Sequence, residues 1–154
     1  MSLTTAQLAV LKTDLQSRAN LWLNGTQVIG NEETAAFYNS VANPVVNIWK
    51  PDVTIQELNS AIAWADMVAL PVEKQLTFQS MIWANTIDMT DNQVRTGIDT
   101  IFGSGSTSKA GINNVGKKQA TYLEALFSTG GATKVSSVYK YQLQPSEVAS
   151  AIYG

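Results

Sequence analysis

The sequence predicts a mainly α-helical fold, a compact bundle of about five or six helices with a short extended or β C-terminal arm. Three observations predict it. Apolar residues recur at helical spacing along most of the 154 residues, Thr stands three residues before Gln or Glu at several expected helix starts, and alternating apolar–polar runs are few. We expect a single helical domain over residues 1–154, with 134–154 as a candidate docking arm.

The first third of the chain contains two expected helices. Thr4 with Gln7 matches a capping box, and the helix that it opens should end near Arg18. Asn24-Gly25 indicates a turn. Residues 32–43 form the second helix, which the following Pro44 stops because proline restricts the residue before it.

The middle of the chain is expected to supply the core. Residues 45–49 are a short apolar run between two prolines, which fits a short strand or a buried connector. Thr54 with Glu57 matches a second capping box. A helix over residues 72–85 is apolar on a wide arc, so we expect it to be central to the core, with Trp64 and Trp83 also buried.

The remaining helices are predicted from caps and glycines. Thr90 with Gln93 matches a third capping box, and the helix that follows should end at Gly103. Residues 103–111 form the one flexible segment that the composition indicates, and 112–127 should be a single long helix. Residues 134–143 partly alternate, as in a strand or an extended arm, before a short closing helix.

Composition excludes several function classes. The chain contains no His and no Cys, which removes the commonest general base and metal ligand, thiolate zinc sites and a cysteine nucleophile. Charged residues make up 14% of the chain, well below the usual quarter or so. Such a weakly charged surface favours a protein that packs against others. No apolar stretch is long enough to span a bilayer.

Three groups of residues could form a functional site, but each group also fits a purely structural role. Ser106, Ser108 and Lys109 contain the elements of a Ser–Lys catalytic pair, but nothing predicts that the lysine is buried, and the P-loop pattern lacks its glycine before the lysine. Asp88 and Asp91 lie three residues apart and could bind a metal ion or act as an acid–base pair, but the carboxylate of Asp91 also suits the start of a helix. A small basic patch could touch a phosphate backbone, although solvated helix faces look the same; its members are Arg95, Lys109, Lys117 and Lys118.

The C-terminal arm carries the candidate partner contacts. Tyrosine is enriched at interfaces, and three tyrosines lie in or beside this arm. Folding of the arm onto its own bundle is an equally good reading. No catalytic, cofactor-binding or metal-ligating residue is predicted; the candidate partner-interface residues are Tyr139, Tyr141, Val148, Ile152, Tyr153 and Lys109.

Several segments together resemble a known family. These are the opening MSLTTAQLAVLKTDL, the segment from Ile48-Trp49 to Trp64, the run NQVRTGIDTIF at residues 92–102, the glycine- and serine-rich loop after it, and KKQATYLEALF at residues 117–127. As a set they are similar to small virion proteins of tailed bacteriophages and prophages, of the head–tail connector (neck adaptor) type. The similarity covers most of the chain and is poorest in the C-terminal arm.

The resemblance implies a structural role without catalysis or cofactor. It implies a homo-oligomeric ring, expected to be a dodecamer, beneath the portal protein at the head–tail junction of the virion, assembled in the host cytoplasm. The other implied partners are a downstream neck or tail protein and, non-specifically, packaged DNA; no membrane is implied. Segment 134–154 would dock against the portal. Two alternatives stay open: another virion role, in tail completion or on the capsid, and a small intracellular helical binding module.

Overall fold

The computed structural model describes residues 1–82, 85–103 and 105–154. Within these ranges the chain forms nine helices and eight short strands, with 52% of residues helical and 15% in strands. The fold is therefore mixed α/β, and the prediction of a mainly α bundle of five or six helices is wrong.

The elements follow one another in a mixed order, with most of the strands separated by helices. The helices are α1 (Thr5–Ser17), α2 (Asn31–Asn39), α3 (Ile55–Ala61), α4 (Trp64–Ala69), α5 (Val72–Met81), α6 (Asn92–Phe102), α7 (Thr107–Val115), α8 (Tyr122–Leu126) and α9 (Pro145–Tyr153). The strands are β1 (Trp22–Leu23), β2 (Thr26–Gln27), β3 (Asn47–Trp49), β4 (Val53–Thr54), β5 (Thr86–Ile87), β6 (Lys117–Gln119), β7 (Ser128–Gly130) and β8 (Thr133–Ser136).

The physical reason for the error is the length of the strands. Each has two to four residues, too few for alternation to be visible in the sequence. The predicted helix 112–127 breaks at Gly116, which caps α7, and the next three residues form β6. The backbone N–H of Lys50 donates to the carbonyl oxygen of Gly116 at 2.8 Å, so this break is held by a contact distant in sequence.

The chain divides into two compact units. Unit 1 comprises Met1–Val46, Gln119–Ser128 and Ser136–Gly154, and it contains α1, the β1–β2 hairpin, α2, α8 and α9. The hairpin turns at Asn24-Gly25, as predicted, and both residues have positive φ. The core of unit 1 is built from fully buried side chains of several elements, among them Leu11, Leu15, Tyr38, Leu123 and Val148.

Unit 2 comprises Asn47–Lys118 and Thr129–Val135, and it has a core of its own. Most residues of a four-stranded sheet with the order β6-β3-β8-β7 lie in this unit, and β3 pairs in parallel with β8. Strands β4 and β5 pair as a separate antiparallel ribbon. Helices α3, α5, α6 and α7 contribute the buried side chains Leu58, Phe78, Ile98, Ile101 and Ile112.

Helix caps were predicted more accurately than the burial of side chains. The boxes at Thr4 and Thr54 are confirmed, with both reciprocal hydrogen bonds in place. The third is wrong: Asp91, not Thr90, caps α6, since its carboxylate accepts the backbone N–H of Gln93 at 2.8 Å. Helix α6 ends at Gly103 as predicted, with φ +78°.

The expectation of a buried helix 72–85 is also wrong. Only Phe78 of α5 is buried, while Trp64 is 80% exposed. Residues 103–111 are not a continuous loop, because Ser106 caps α7 by accepting the backbone N–H of Lys109. The predictions that involve Trp83 and Ser104 lie outside the described residues.

Candidate functional site

The consecutive helices α4 and α5 of unit 2 leave four large apolar side chains exposed, here named the α4–α5 surface. Its members are spaced four residues apart and have exposed fractions of 80%, 65%, 66% and 57%, in the order Trp64, Val68, Val72 and Leu76. Together these residues expose roughly 500 Å², backbone included. Large apolar side chains left exposed on consecutive helices indicate a candidate interaction site.

The α4–α5 surface is held by the opposite side of the same two helices. Met67 and Phe78 pack into the core of unit 2. The side-chain amide of Gln75 donates to the carbonyl oxygens of Met67 and Leu70, at 3.1 and 3.0 Å, and so ties the end of α4 to α5. The exposed side chains of these two helices are thus presented on a fixed support.

An apolar cleft of about 370 Å³ lies beside Trp64. Ile62, Phe78 and Ile82 line it together with Met67, and the polar side chains of Asn59 and Gln79 stand among them. A cleft of this volume and lining can accept an aromatic or aliphatic side chain of a partner. It extends the α4–α5 surface inward.

Helix α4 is also fixed at its N-terminal end through a buried serine. The hydroxyl of Ser108 donates to Oδ2 of Asp66 at 2.5 Å and accepts the backbone N–H of Ala63 at 2.9 Å. The backbone N–H of Ser108 donates to the same carboxylate oxygen at 3.1 Å. Ser108 is fully buried. Its hydrogen bonds join α7 to α4. Ser108, one of the serines of the possible Ser–Lys catalytic pair, therefore has a structural role in the fold.

A second feature of unit 2 is a polar cleft of about 230 Å³ next to Trp49, here named the Trp49 cleft. The guanidinium carbon of Arg95 lies 4.9 Å from the centre of the Trp49 ring, and the ammonium of Lys117 lies 5.9 Å from it. Both distances are in the range of cation–π attraction. Lys109, on the cleft wall, pairs with Asp99 at 2.8 Å.

Three of the four residues of the possible basic patch lie at Trp49, two in the cleft lining and Lys117 near the ring, whereas Lys118 is not among them. Arg95 lies on α6, Lys109 on α7 and Lys117 on β6, while the tryptophan comes from β3. One guanidinium nitrogen of Arg95 donates to the carbonyl oxygen of Met89 at 2.5 Å, which fixes the side chain in place. The sequence signal was the basic residues themselves; their common neighbour, Trp49, is a consequence of the fold.

The structure places the predicted interface residues of the arm in different environments. Val148 and Ile152 are buried in the core of unit 1, so in this conformation a partner cannot touch them. Tyr141 packs against the same core, and its hydroxyl donates to Glu147. Tyr153, 75% exposed, remains open to a partner.

The two other predicted interface residues lie elsewhere. Tyr139 is half-buried, with the ammonium of Lys140 5.3 Å from its ring centre. Lys109 belongs to unit 2, where its ammonium is paired with Asp99. Residues 136–154 of the predicted arm thus pack within unit 1, while residues 134 and 135 belong to unit 2. The α4–α5 surface was missed because its apolar spacing equals that of a buried helix.

Comparisons with known protein families, with curated proteins and with solved structures found no match. In the part of the chain that the structure describes, no helix is both long and apolar enough to cross a membrane. Over the same residues, no three acidic side chains come close enough to hold a metal ion.

Proposed function

We propose that this chain is a structural virion protein of a tailed bacteriophage, a head–tail connector that forms a ring beneath the portal and continues the DNA channel. Its partners are further copies of itself, the portal protein and a downstream neck or tail protein. The resemblance of residues 92–102 and 117–127 to such proteins supports the proposal from the sequence.

The observation that carries the proposal is the α4–α5 surface. An interface of standard size buries about 800 Å² per partner, of which roughly 60% is apolar. The four exposed side chains from Trp64 to Leu76 can supply a large part of that apolar area on one side. Their stable burial needs another protein surface, and we assign it to a second copy of this chain.

A ring suits these surfaces. In a heterologous ring each copy presents one surface to the copy before it and a different one to the copy after it. The apolar cleft beside Trp64 would receive a side chain from the neighbour. Many identical contacts, each weak alone, then give a stable assembly on the portal. The low charge of the chain, 14% of residues, limits repulsion between copies.

The experiment is a matched pair of substitutions. Val72→Asp places a charge on the α4–α5 surface at a position where an acid suits the helix N-terminus, so the fold should be unaffected. Val28→Asp makes the same change at a valine of unit 1 that is 50% exposed. Each variant is mixed with the portal protein of the same phage and examined by mass photometry and negative-stain electron microscopy.

We expect wild-type protein and Val28→Asp to form rings on the portal, and Val72→Asp to remain unassembled. Equal assembly by Val72→Asp would remove the α4–α5 surface as the contact between copies. Absence of the polypeptide from the head–tail junction of purified virions, tested by mass spectrometry and cryo-electron microscopy, would overturn the function itself.

A further inference from the structure

We propose that the Trp49 cleft binds a backbone phosphate of duplex DNA. The observation is that Arg95 and Lys109, from α6 and α7, line a small polar cleft beside Trp49, and that Lys117, from β6, lies near the same ring. The choice of duplex DNA as ligand rests on the proposed function, while the argument for a phosphate rests on charge and size alone.

The charge balance at the cleft favours an anion. Lys109 and Asp99 neutralise each other across 2.8 Å. Among the described residues no carboxylate pairs with Arg95 or Lys117, whose cationic groups instead lie against Trp49. One unpaired cation, Arg95, therefore lines the cleft and a second, Lys117, lies near the Trp49 ring, in a chain with a net charge of -2.

The size and lining of the cleft select the kind of anion. About 230 Å³ is less than the roughly 300–1,000 Å³ of pockets that enclose a whole small molecule. The cleft can hold one group of a longer ligand. Asn92, Thr96 and Asn113 line it and supply neutral hydrogen-bond donors to the oxygens of a phosphate.

The aromatic ring gives the cations a defined position. Arg95 is held between the ring of Trp49 and the carbonyl oxygen of Met89, so little side-chain entropy is lost when an anion binds. Contacts to phosphate position a protein on DNA without reading its sequence. In a ring the same weak contact would recur once in every copy, so that DNA is guided without being held tightly.

The test measures the salt dependence of DNA binding. A fluorescein-labelled duplex of about 20 base pairs is titrated with the full-length protein by fluorescence anisotropy at several NaCl concentrations, starting at low salt where phosphate contacts are strongest. Two substitutions, one near the Trp49 ring and one in the cleft lining, change the local charge in opposite directions. Lys117→Gln removes a cation, and Asp99→Asn releases Lys109 from its ion pair.

We expect Lys117→Gln to lower the slope of log K against log salt by about one, and the affinity at 0.1 M NaCl by about eightfold. Asp99→Asn should change both quantities in the opposite direction. The matched controls are Lys74→Gln and Glu73→Gln on α5, which alter the total charge identically. Slopes that follow total charge alone, with controls and cleft variants alike, would overturn the proposal.

Two further outcomes separate the alternatives. If sodium phosphate at matched ionic strength displaces the duplex far better than chloride does, the cleft is a site for the free anion, and the assignment to DNA falls. Ring assembly with unchanged salt slopes would overturn this inference and leave the proposed function intact. The expected salt slopes together with no ring assembly on the portal would support this inference and overturn the proposed function.

Discussion

The hydroxyl of Tyr141 donates a hydrogen bond of 2.5 Å to Oε1 of Glu147. The same oxygen accepts the backbone N–H of Leu3 at 3.0 Å, and the other carboxylate oxygen accepts the N–H of Gln144, also at 3.0 Å. One carboxylate therefore joins Tyr141, the start of α9 and the N-terminus of the chain. The bond from Leu3 links the arm to the N-terminus within unit 1.

The pair gives unit 1 a pH dependence at both ends of the scale. Burial alone would raise the pKa of Glu147, but the bonds from Tyr141, Leu3 and Gln144 outweigh it and lower that pKa below 4.5. Its contribution to stability is therefore complete above about pH 4.5 and is lost as the pH falls through the lowered pKa. Burial and the bond to Glu147 raise the pKa of Tyr141 to about 12.

Substitution of Tyr141 should remove the contribution of the Tyr141–Glu147 pair to the loss of stability at alkaline pH. A raised pKa means that the contribution of Tyr141 is present below pH 10, its ordinary value, and is lost as the pH rises through about 12. We expect Tyr141→Phe to cost about 1 kcal/mol at pH 7, since the bond is to a charged group but only part-buried. Urea denaturation followed by circular dichroism from pH 3 to pH 12 measures it.

The control for this prediction is Tyr153→Phe, which removes the hydroxyl of a tyrosine that is 75% exposed. Its pH profile should match that of the wild-type protein. If Tyr141→Phe loses stability between pH 10 and pH 12 as steeply as the wild-type protein does, the bond to Glu147 is not the cause.

Gly111 offers a test of close packing in unit 2. A Cβ at this position would overlap the carbonyl oxygen of Ala61, at the end of α3. Alanine in the middle of a helix would otherwise stabilise it by about 0.5–1 kcal/mol. We expect the clash to dominate, so Gly111→Ala should lower the free energy of unfolding by about 1–3 kcal/mol in urea denaturation.

The matched control is Gly105→Ala, where an added Cβ meets nothing within 4 Å. This substitution should be neutral. A gain of stability in Gly111→Ala, as for an ordinary exposed helix position, would show that α7 does not approach α3 as closely as described.

The contrast between caps and burial explains how much could be predicted. The start of α1 at Thr5 and its C-cap at Arg18 depend on side chains within a few residues, and both were predicted. Whether Trp64 is buried depends on what packs over it from distant segments, and a single sequence contains no record of that. The strands of two to four residues, such as β3, likewise exist because a partner strand pairs with them.

The candidate sites follow the same rule. Arg95, Lys109 and Lys117 could be named from the sequence as basic residues, but not their convergence on Trp49. Val148 and Ile152 have amphipathic spacing, which is also the spacing of residues that a helix buries in its own core. Periodicity identifies a face of a helix and leaves open what covers it.

Ser108 tests whether the buried hydroxyl holds α4 in place. Ser108→Ala removes the acceptor of the Ala63 N–H and one of two donors to Asp66. The Ala63 N–H is part-buried, and a buried N–H left without its partner costs about 1–3 kcal/mol, so the loss should lie toward the lower end of that range. We expect a loss of that size in urea denaturation. Ser60→Ala, at an exposed serine of α3 that bonds only its own helix, should change stability little. Equal effects of the two substitutions would contradict the structural role.

Helix α5 allows the exposed and buried sides of one element to be compared directly. Phe78 is 2% exposed and its ring packs edge-on against Phe102 with centroids 5.2 Å apart, whereas Leu76, two residues away, is 57% exposed. Phe78→Ala should lower the free energy of unfolding by about 3–5 kcal/mol, because it leaves a cavity in the core of unit 2.

Leu76→Ala should change the free energy of unfolding of the isolated chain by less than about 0.5 kcal/mol, since the leucine lies against solvent and alanine favours a helix. The measurement is urea denaturation at a protein concentration low enough to keep the chain monomeric. A large loss in Leu76→Ala would mean that this leucine is covered within the chain, and the α4–α5 surface would then lose one of its four members. A small loss in both variants would mean that α5 does not pack on the core at all.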